Sequence, residues 1–126
     1  MQIITSPLEY QDALKQSSKV IVEFYMDNEP SCQTISSDFK QLSKGYPQIM
    51  FLLVNVEYNS AIAGSEKITA VPTFLFYING KVFTRFTGAS KDELVKCIDR
   101  LNSAMDWFLL QSIKIIGIIF AYHLAT

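Results

Sequence analysis

A β-hairpin near the end of the chain constrains the fold more than any other sequence feature. Two runs of β-forming residues, 73–78 and 81–87, are separated only by the dipeptide Asn79-Gly80. Asn-Gly is the strongest short hairpin signal, because both residues readily adopt the positive φ angles of a type I′ turn. The two runs are therefore predicted to pair as antiparallel neighbours in one sheet.

Upstream of this hairpin, predicted strands alternate with predicted helices. Ser6-Pro7-Leu8-Glu9 is a capping box with proline at the first helical position, and Val20–Tyr25 is an apolar run typical of a central strand. The further predicted elements are a strand over 2–5, a loop over 26–31, a helix from 32 to about 44, a strand over 50–56, a short helix over 59–66 and a helix opened by a second capping box at 90–93. Strand–helix–strand units imply parallel pairing. The sequence thus predicts an α/β fold with a mixed central sheet and helices on both faces.

Composition narrows the functional classes. The chain has 126 residues, 49% of them hydrophobic, which suits one domain with a real core. The net charge is −1 and the basic residues are scattered, so no nucleic-acid interface is predicted. With two cysteines, Cys32 and Cys97, and one histidine, the chain cannot assemble a four-ligand zinc site. We therefore predict no metal and no cofactor.

Four motifs occur in a fixed order at the ends of the predicted strands. They are Val22-Glu-Phe-Tyr25, Val71-Pro-Thr73, Asn79-Gly80 and Gly88-Ala89. Their order and spacing resemble the thioredoxin family over residues 2 to about 101, and Met50–Val56 resembles a strand of its animal-type members. The resemblance implies a thioredoxin fold for a domain over residues 1–104, with a cis peptide bond before Pro72.

The active-site motif departs from the family pattern. Where family members read Trp-Cys-Gly-Pro-Cys, this chain reads Asn28-Glu29-Pro30-Ser31-Cys32. The resemblance implies that Glu29 replaces the nucleophilic cysteine and that Cys32 is the remaining resolving cysteine. It also places Glu23 at the family's buried aspartate and Ser37 at its kink proline.

These departures bear directly on the chemistry. Thiol–disulfide exchange needs a thiolate that attacks a substrate sulfur and a second thiol that resolves the mixed disulfide. Glu29 has no sulfur, and Cys32 shares a helical apolar stripe with Ile35 and Phe39, which predicts a buried thiol with a raised pKa. We interpret the chain as a redox-inactive module that binds a protein or peptide. The alternative is a thiol–disulfide oxidoreductase that uses Cys32 as a single thiol or depends on glutathione.

The resemblance also implies a binding surface, because family members offer the backbone before the cis-proline to an extended segment. The candidate binding residues are Asn28, Pro30, Val71, Pro72 and Thr73. Glu29 has two interpretations: it recognises a partner's amide or cation, or it is only a favourable charge at a helix N-terminus. Glu23 is either a proton acceptor, as in the family, or a partly solvated strand residue without a role.

The chain continues beyond the predicted domain as a hydrophobic tail over 105–126. Residues 107–125 are about as long as a membrane span needs, with Trp107 and Tyr122 near the two ends. Lys114, close to the middle, opposes insertion. Three interpretations stay open: a tail anchor in a membrane, a helix docked on the domain or a partner, or a poorly structured terminus. Because the N-terminal residues lack a signal-peptide pattern, a cytoplasmic location is predicted.

Overall fold

The computed structural model describes residues 1–104 and 107–125, except for the side chains of residues 107–115. The strands are β1 (Gln2–Ile3), β2 (Lys19–Tyr25), β3 (Met50–Asn55), β4 (Thr73–Ile78) and β5 (Lys81–Thr87). The helices are α1 (Pro7–Gln16), α2 (Pro30–Ser43), α3 (Ser60–Ser65), α4 (Lys91–Ser103) and α5 (Trp107–Ala125). The predicted order of elements is confirmed, with α5 added at the end.

The five strands form one mixed sheet with the spatial order β1-β3-β2-β4-β5. The β2 strand lies in the centre, parallel to β3 and antiparallel to β4, as the strand–helix–strand units and the hairpin predict. In this register Glu23 lies opposite Leu53 on one side and Phe74 on the other. The α/β fold class with a mixed sheet is thus confirmed.

The helices begin where the sequence provides caps. The side chains of Ser6 and Ser90 accept hydrogen bonds from the backbone amides of Glu9 and Glu93, which satisfies one unpaired donor at each helix start. The predicted loop over 26–31 is too long, because α2 already begins at Pro30. A proline fits the first helical turn, since the amide it lacks would have no partner there.

Two hydrophobic clusters lie on opposite faces of the sheet. One joins α1 to the sheet and includes Tyr10, whose hydroxyl is 2.7 Å from that of Tyr77. The other lies under α2 and α4 and includes Phe39, whose ring packs against those of Phe51 and Phe74. The second cluster packs α2, and with it the start of the predicted site, against the sheet.

The two edges of the sheet differ from regular strands. β1 has only two residues. In β5, Val82 pairs with Tyr77 and Thr84 pairs with Phe76, so Phe83 has no partner on β4 and forms a β-bulge. Short strands and bulges are both devices that hinder the pairing of a further strand.

The tail contains a helix, and its described side chains are exposed. Every residue from 116 to 125 is exposed, including Ile118 and Phe120 at 69% and 64%. In the part of the chain that the structure describes, no helix has the length and apolar character needed to cross a bilayer. The tail-anchor interpretation also depends on Trp107 and Lys114, whose side chains lie outside those described.

Candidate functional site

The predicted site lies where β2 ends and α2 begins. Glu29 is the N-cap residue of α2, and its carbonyl accepts hydrogen bonds from the amides of Cys32 and Gln33 at 3.0 and 3.1 Å. Its side chain makes no capping hydrogen bond. Instead, Oε1 accepts a hydrogen bond from the Ser31 hydroxyl at 3.0 Å. The half-buried carboxylate is thus held beside the helix start without being used to cap it.

Cys32 lies in the first turn of α2 and faces the sheet. Its side chain is fully buried, and it is not disulfide-bonded. Burial raises the pKa of the thiol, and the nearby Glu23 and Glu29 carboxylates raise it further, while a backbone hydrogen bond at Met26 acts in the opposite direction. A buried thiol with a raised pKa supplies little thiolate at neutral pH.

Glu23 is the buried acidic residue at the centre of this arrangement. Its side chain is fully buried in the middle of β2, so the partly solvated interpretation is wrong. Oε2 accepts a hydrogen bond from the Ser36 hydroxyl, whereas Oε1 has no hydrogen-bond partner among the described residues. Desolvation raises the pKa of Glu23 to about 7, against the opposing effect of the Ser36 hydrogen bond.

Several residues that the sequence analysis did not single out position this loop. Asp27 accepts a hydrogen bond from the Asn55 amide at 3.2 Å, and its carbonyl accepts one from Gln33 at 3.0 Å. Ser36 follows Cys32 by four residues, which places both on the sheet-facing side of α2. This spacing is the signal that could have identified Ser36; the contacts of Asp27 depend on tertiary structure and have no comparable local signal.

A small cavity of about 130 Å³ opens beside the thiol. It is lined by Tyr25, Met26, Asp27, Cys32, Gln33 and Ser36. The two largest of the other cavities described, of about 460 and 510 Å³, lie near the starts of β2 and β3 and near the hairpin turn, and no predicted site residue lines them. Across the described residues, no cluster of side chains could hold a metal ion.

The Val71-Pro-Thr73 segment lies next to the loop that follows β2. The Val71–Pro72 peptide bond is cis. Because Phe24 pairs with Thr73 in antiparallel register, the chain before Thr73 runs alongside the chain after Phe24, which brings Val71 near Met26. The structure therefore places the loop and the proline segment at the same end of the sheet.

Backbone hydrogen bonds in this segment leave one residue unpaired. The Pro72 carbonyl accepts from the Gly88 amide at 2.9 Å, and the buried Thr73 hydroxyl donates to the Ala70 carbonyl at 2.7 Å. Among the described residues, neither the amide nor the carbonyl of Val71 forms a hydrogen bond. Val71 is half-buried, so its free backbone groups border the site.

The remaining predicted residues are placed as follows. Asn28 and Pro30 are exposed on the loop and the first turn of α2. Cys97 is buried on α4, where its sulfur accepts a hydrogen bond from Arg100 at 3.2 Å. It belongs to the hydrophobic cluster under α2 and α4, where it packs in the core.

Comparison with known proteins agrees with this geometry. The sequence model of the Thioredoxin family matches residues 2–100. Thioredoxin 1 of Plasmodium falciparum is 31% identical over 100 residues, which cover 79% of this chain and 96% of that protein. Human Glutaredoxin-3 is 32% identical over 91 residues, 72% of this chain but 27% of that protein.

Solved structures give the same result. Plasmodium falciparum thioredoxin superposes with a TM-score of 0.77 at 31% identity, over 79% of this chain and 98% of that one. Fasciola hepatica thioredoxin superposes with a TM-score of 0.77 at 27% identity, over 80% of this chain and 99% of that one. The fold and the match to the family model thus define a thioredoxin-type domain. The chain belongs to the thioredoxin family.

Proposed function

We propose that this thioredoxin-family domain binds an extended protein or peptide segment and does not catalyse disulfide exchange. The observation that carries the proposal is the pair of residues at the start of α2. Glu29 presents a carboxylate at the exposed end of the helix, and the sulfur of Cys32 is fully buried with a raised pKa.

The balance of the exchange reaction supports this interpretation. In the first half-reaction a thiolate sulfur bonds to one sulfur of the substrate disulfide, and the other leaves as a thiolate. In the second, another thiolate of the enzyme attacks the enzyme sulfur of the mixed disulfide and forms the enzyme's own disulfide, while the substrate sulfur leaves as a thiolate with both electrons of the broken bond. At this site one thiol is present, so the second half-reaction lacks its partner.

Binding needs no sulfur. An extended segment can pair with free backbone groups as an added strand, and side-chain pockets then give selectivity. The amide and the carbonyl of Val71 have no hydrogen-bond partner among the described residues, and they lie beside the Met26–Cys32 loop. We place the docking surface at Asn28, Glu29, Pro30 and the backbone of Val71, with the buried Pro72 and Thr73 holding that backbone in position.

The rival function is disulfide exchange through Cys32 alone, and the redox relatives favour it. Thioredoxins and glutaredoxins are among the similar proteins. The Glu23 carboxyl near Cys32 could accept the thiol proton. Cys32 would then have to leave its buried position and draw the second thiol from glutathione.

Reduction of insulin disulfides by the purified chain, with NADPH and thioredoxin reductase, tests the proposal. We expect no turnover by the native chain. Glu29→Cys should gain turnover, because it restores a thiol at an N-terminal position where the helix dipole lowers its pKa. Adding Cys32→Ser to that variant should abolish the gain.

Cys97→Ser is the matched control for loss of a buried thiol outside the site and should behave like the native chain. Turnover by the native chain that disappears in Cys32→Ser, with or without added glutathione, would contradict the proposal. That result would establish the single-thiol oxidoreductase.

A further inference from the structure

The charges around the docking surface are unevenly distributed. The segment 26–32 carries two acids, Asp27 and Glu29, and no cation. Lys91, at the start of α4, forms its ion pair with Asp38 at 3.8 Å and not with either of these two acids. The surface proposed to receive a peptide is therefore acidic at the end nearest α2.

The two acids of this segment differ in solvent exposure and in their hydrogen bonds. The Asp27 carboxylate accepts a hydrogen bond from Asn55, and Asp27 is exposed to solvent. The Glu29 carboxylate is half-buried and is oriented through Oε1 by the Ser31 hydroxyl. It makes no capping bond to α2, and no hydrogen bond involves its Oε2 among the described residues. Glu29 is thus an oriented acceptor with one oxygen available.

We propose that the docking surface selects segments with a basic residue, lysine or arginine, whose cation binds the Glu29 carboxylate while the neighbouring backbone pairs with Val71. This inference rests on the proposed function, since it names the chemistry of the segment that the same surface binds. A half-buried carboxylate attracts a cation more strongly than an exposed one, because water and salt screen it less. The backbone pairing with Val71 fixes the register of the bound segment, and the Glu29 carboxylate then contacts one side chain of that segment.

The simpler interpretation of Glu29 is a charge that stabilises α2 through the helix dipole. The Glu29 side chain does not cap α2, because it accepts its hydrogen bond from the Ser31 hydroxyl and not from a helix amide. A charge acting only on the dipole would stabilise the domain without discriminating between peptides. The two roles therefore differ in a measurable property.

Titration of the full chain with short peptides, followed by amide shifts in NMR spectra, tests the inference. The probes are acetylated and amidated Thr-Val-Thr-Lys-Thr-Val-Thr and its analogues with Gln or Glu at the centre. All three should shift the amides of Val71 and Thr73. The Lys peptide should bind about 3- to 10-fold more tightly than the Gln peptide, as expected for one charge-assisted contact near a surface. Added salt should reduce that ratio.

Two variants separate recognition by Glu29 from a general charge effect. Glu29→Gln should remove the preference for the Lys peptide, and Glu29→Lys should transfer it to the Glu peptide. Glu57→Gln removes an exposed carboxylate from the turn after β3 and should keep the preference for Lys.

The outcomes distinguish a failure of the selection of a basic residue from a failure of the docking surface itself. Equal binding of all three peptides with shifts at Val71 and Thr73 would overturn the selection of a basic residue and leave the docking surface standing. A preference for Lys that persists in Glu29→Gln would overturn it as well. If no peptide shifts these amides at millimolar concentration, the docking surface itself is refuted, and the inference with it.

Discussion

At the scale of single residues, the buried carboxyl of Glu23 has the largest energetic consequence. It lies in the middle of the central strand with one oxygen unpartnered, and no cation neutralises it among the described residues. Its pKa is raised from 4.5 to about 7. The folded chain therefore holds a proton on Glu23 over a range of pH where the unfolded chain has released it.

The sign of the resulting pH dependence follows from this difference. The stabilisation by protonated Glu23 is fully present below pH 4.5 and is lost as the pH rises through about 7. The change in the free energy of unfolding over this window is about 3 kcal/mol, from the difference between the two pKa values. Glu23→Gln should remove this dependence and make the domain more stable than the native chain at pH 8.

Denaturant unfolding of both chains between pH 4 and 8 measures the effect as the difference between them. Glu57→Gln, which removes an exposed carboxylate, should follow the native pH profile. A Glu23→Gln curve parallel to the native one at every pH would mean that Glu23 is ionised at the same pH in both states.

At the scale of elements, α4 depends on its N-cap. The Ser90 hydroxyl accepts from the Glu93 amide at 3.2 Å, and the helix packs Leu94, Ile98 and Leu101 under the sheet. Ser90→Ala should lower the free energy of unfolding by about 1 kcal/mol, since it leaves a helix amide without its acceptor. Ser103→Ala, at the exposed end of the same helix, should change it by less than about 0.5 kcal/mol. Equal losses in the two variants, measured by denaturant unfolding, would contradict the capping role.

The elements also show what local sequence determines. The bounds of β4 and β5 agree with the predicted ones because the Asn79-Gly80 turn leaves one register for the two strands. The caps at Ser6 and Ser90 are likewise local and are observed where predicted. The apolar stripe begins only at Cys32, two residues after the first helical residue, so it predicts too late a start for α2.

The candidate site was less predictable than the fold. The types and spacing of Glu29 and Cys32 are visible in the sequence, but the burial of Glu23 depends on β3, β4 and α2 covering it from three sides. The contact between Asp27 and Asn55 joins residues 28 positions apart. Such contacts arise from tertiary packing, which local pattern does not encode. The binding role of the docking residues and the cytoplasmic location stay predictions.

At the scale of the whole molecule, the buried residues of the described structure all lie between Ile4 and Leu101. The core that the structure describes is therefore formed without residues 116–125. Deletion of residues 105–126 should change the free energy of unfolding by less than about 0.5 kcal/mol. It should also reduce self-association, because it removes exposed apolar side chains such as Ile118 and Phe120. Denaturant unfolding and light scattering measure the two effects.

A large loss of stability on this deletion, of several kcal/mol, would instead mean that the tail packs on the domain. The docked-helix interpretation of 105–126 would then hold. An unchanged tendency to associate would locate the adhesive surface on the domain itself.

The bulge at Phe83 and the two-residue β1 strand limit how this chain can aggregate through the edges of its sheet. A regular edge strand is a template on which further chains add in register, and such growth ends in cross-β fibres. Here one edge is interrupted and the other is too short to dictate a register. We therefore expect folded copies not to extend the sheet from either edge, so that fibril growth would require the domain to unfold first.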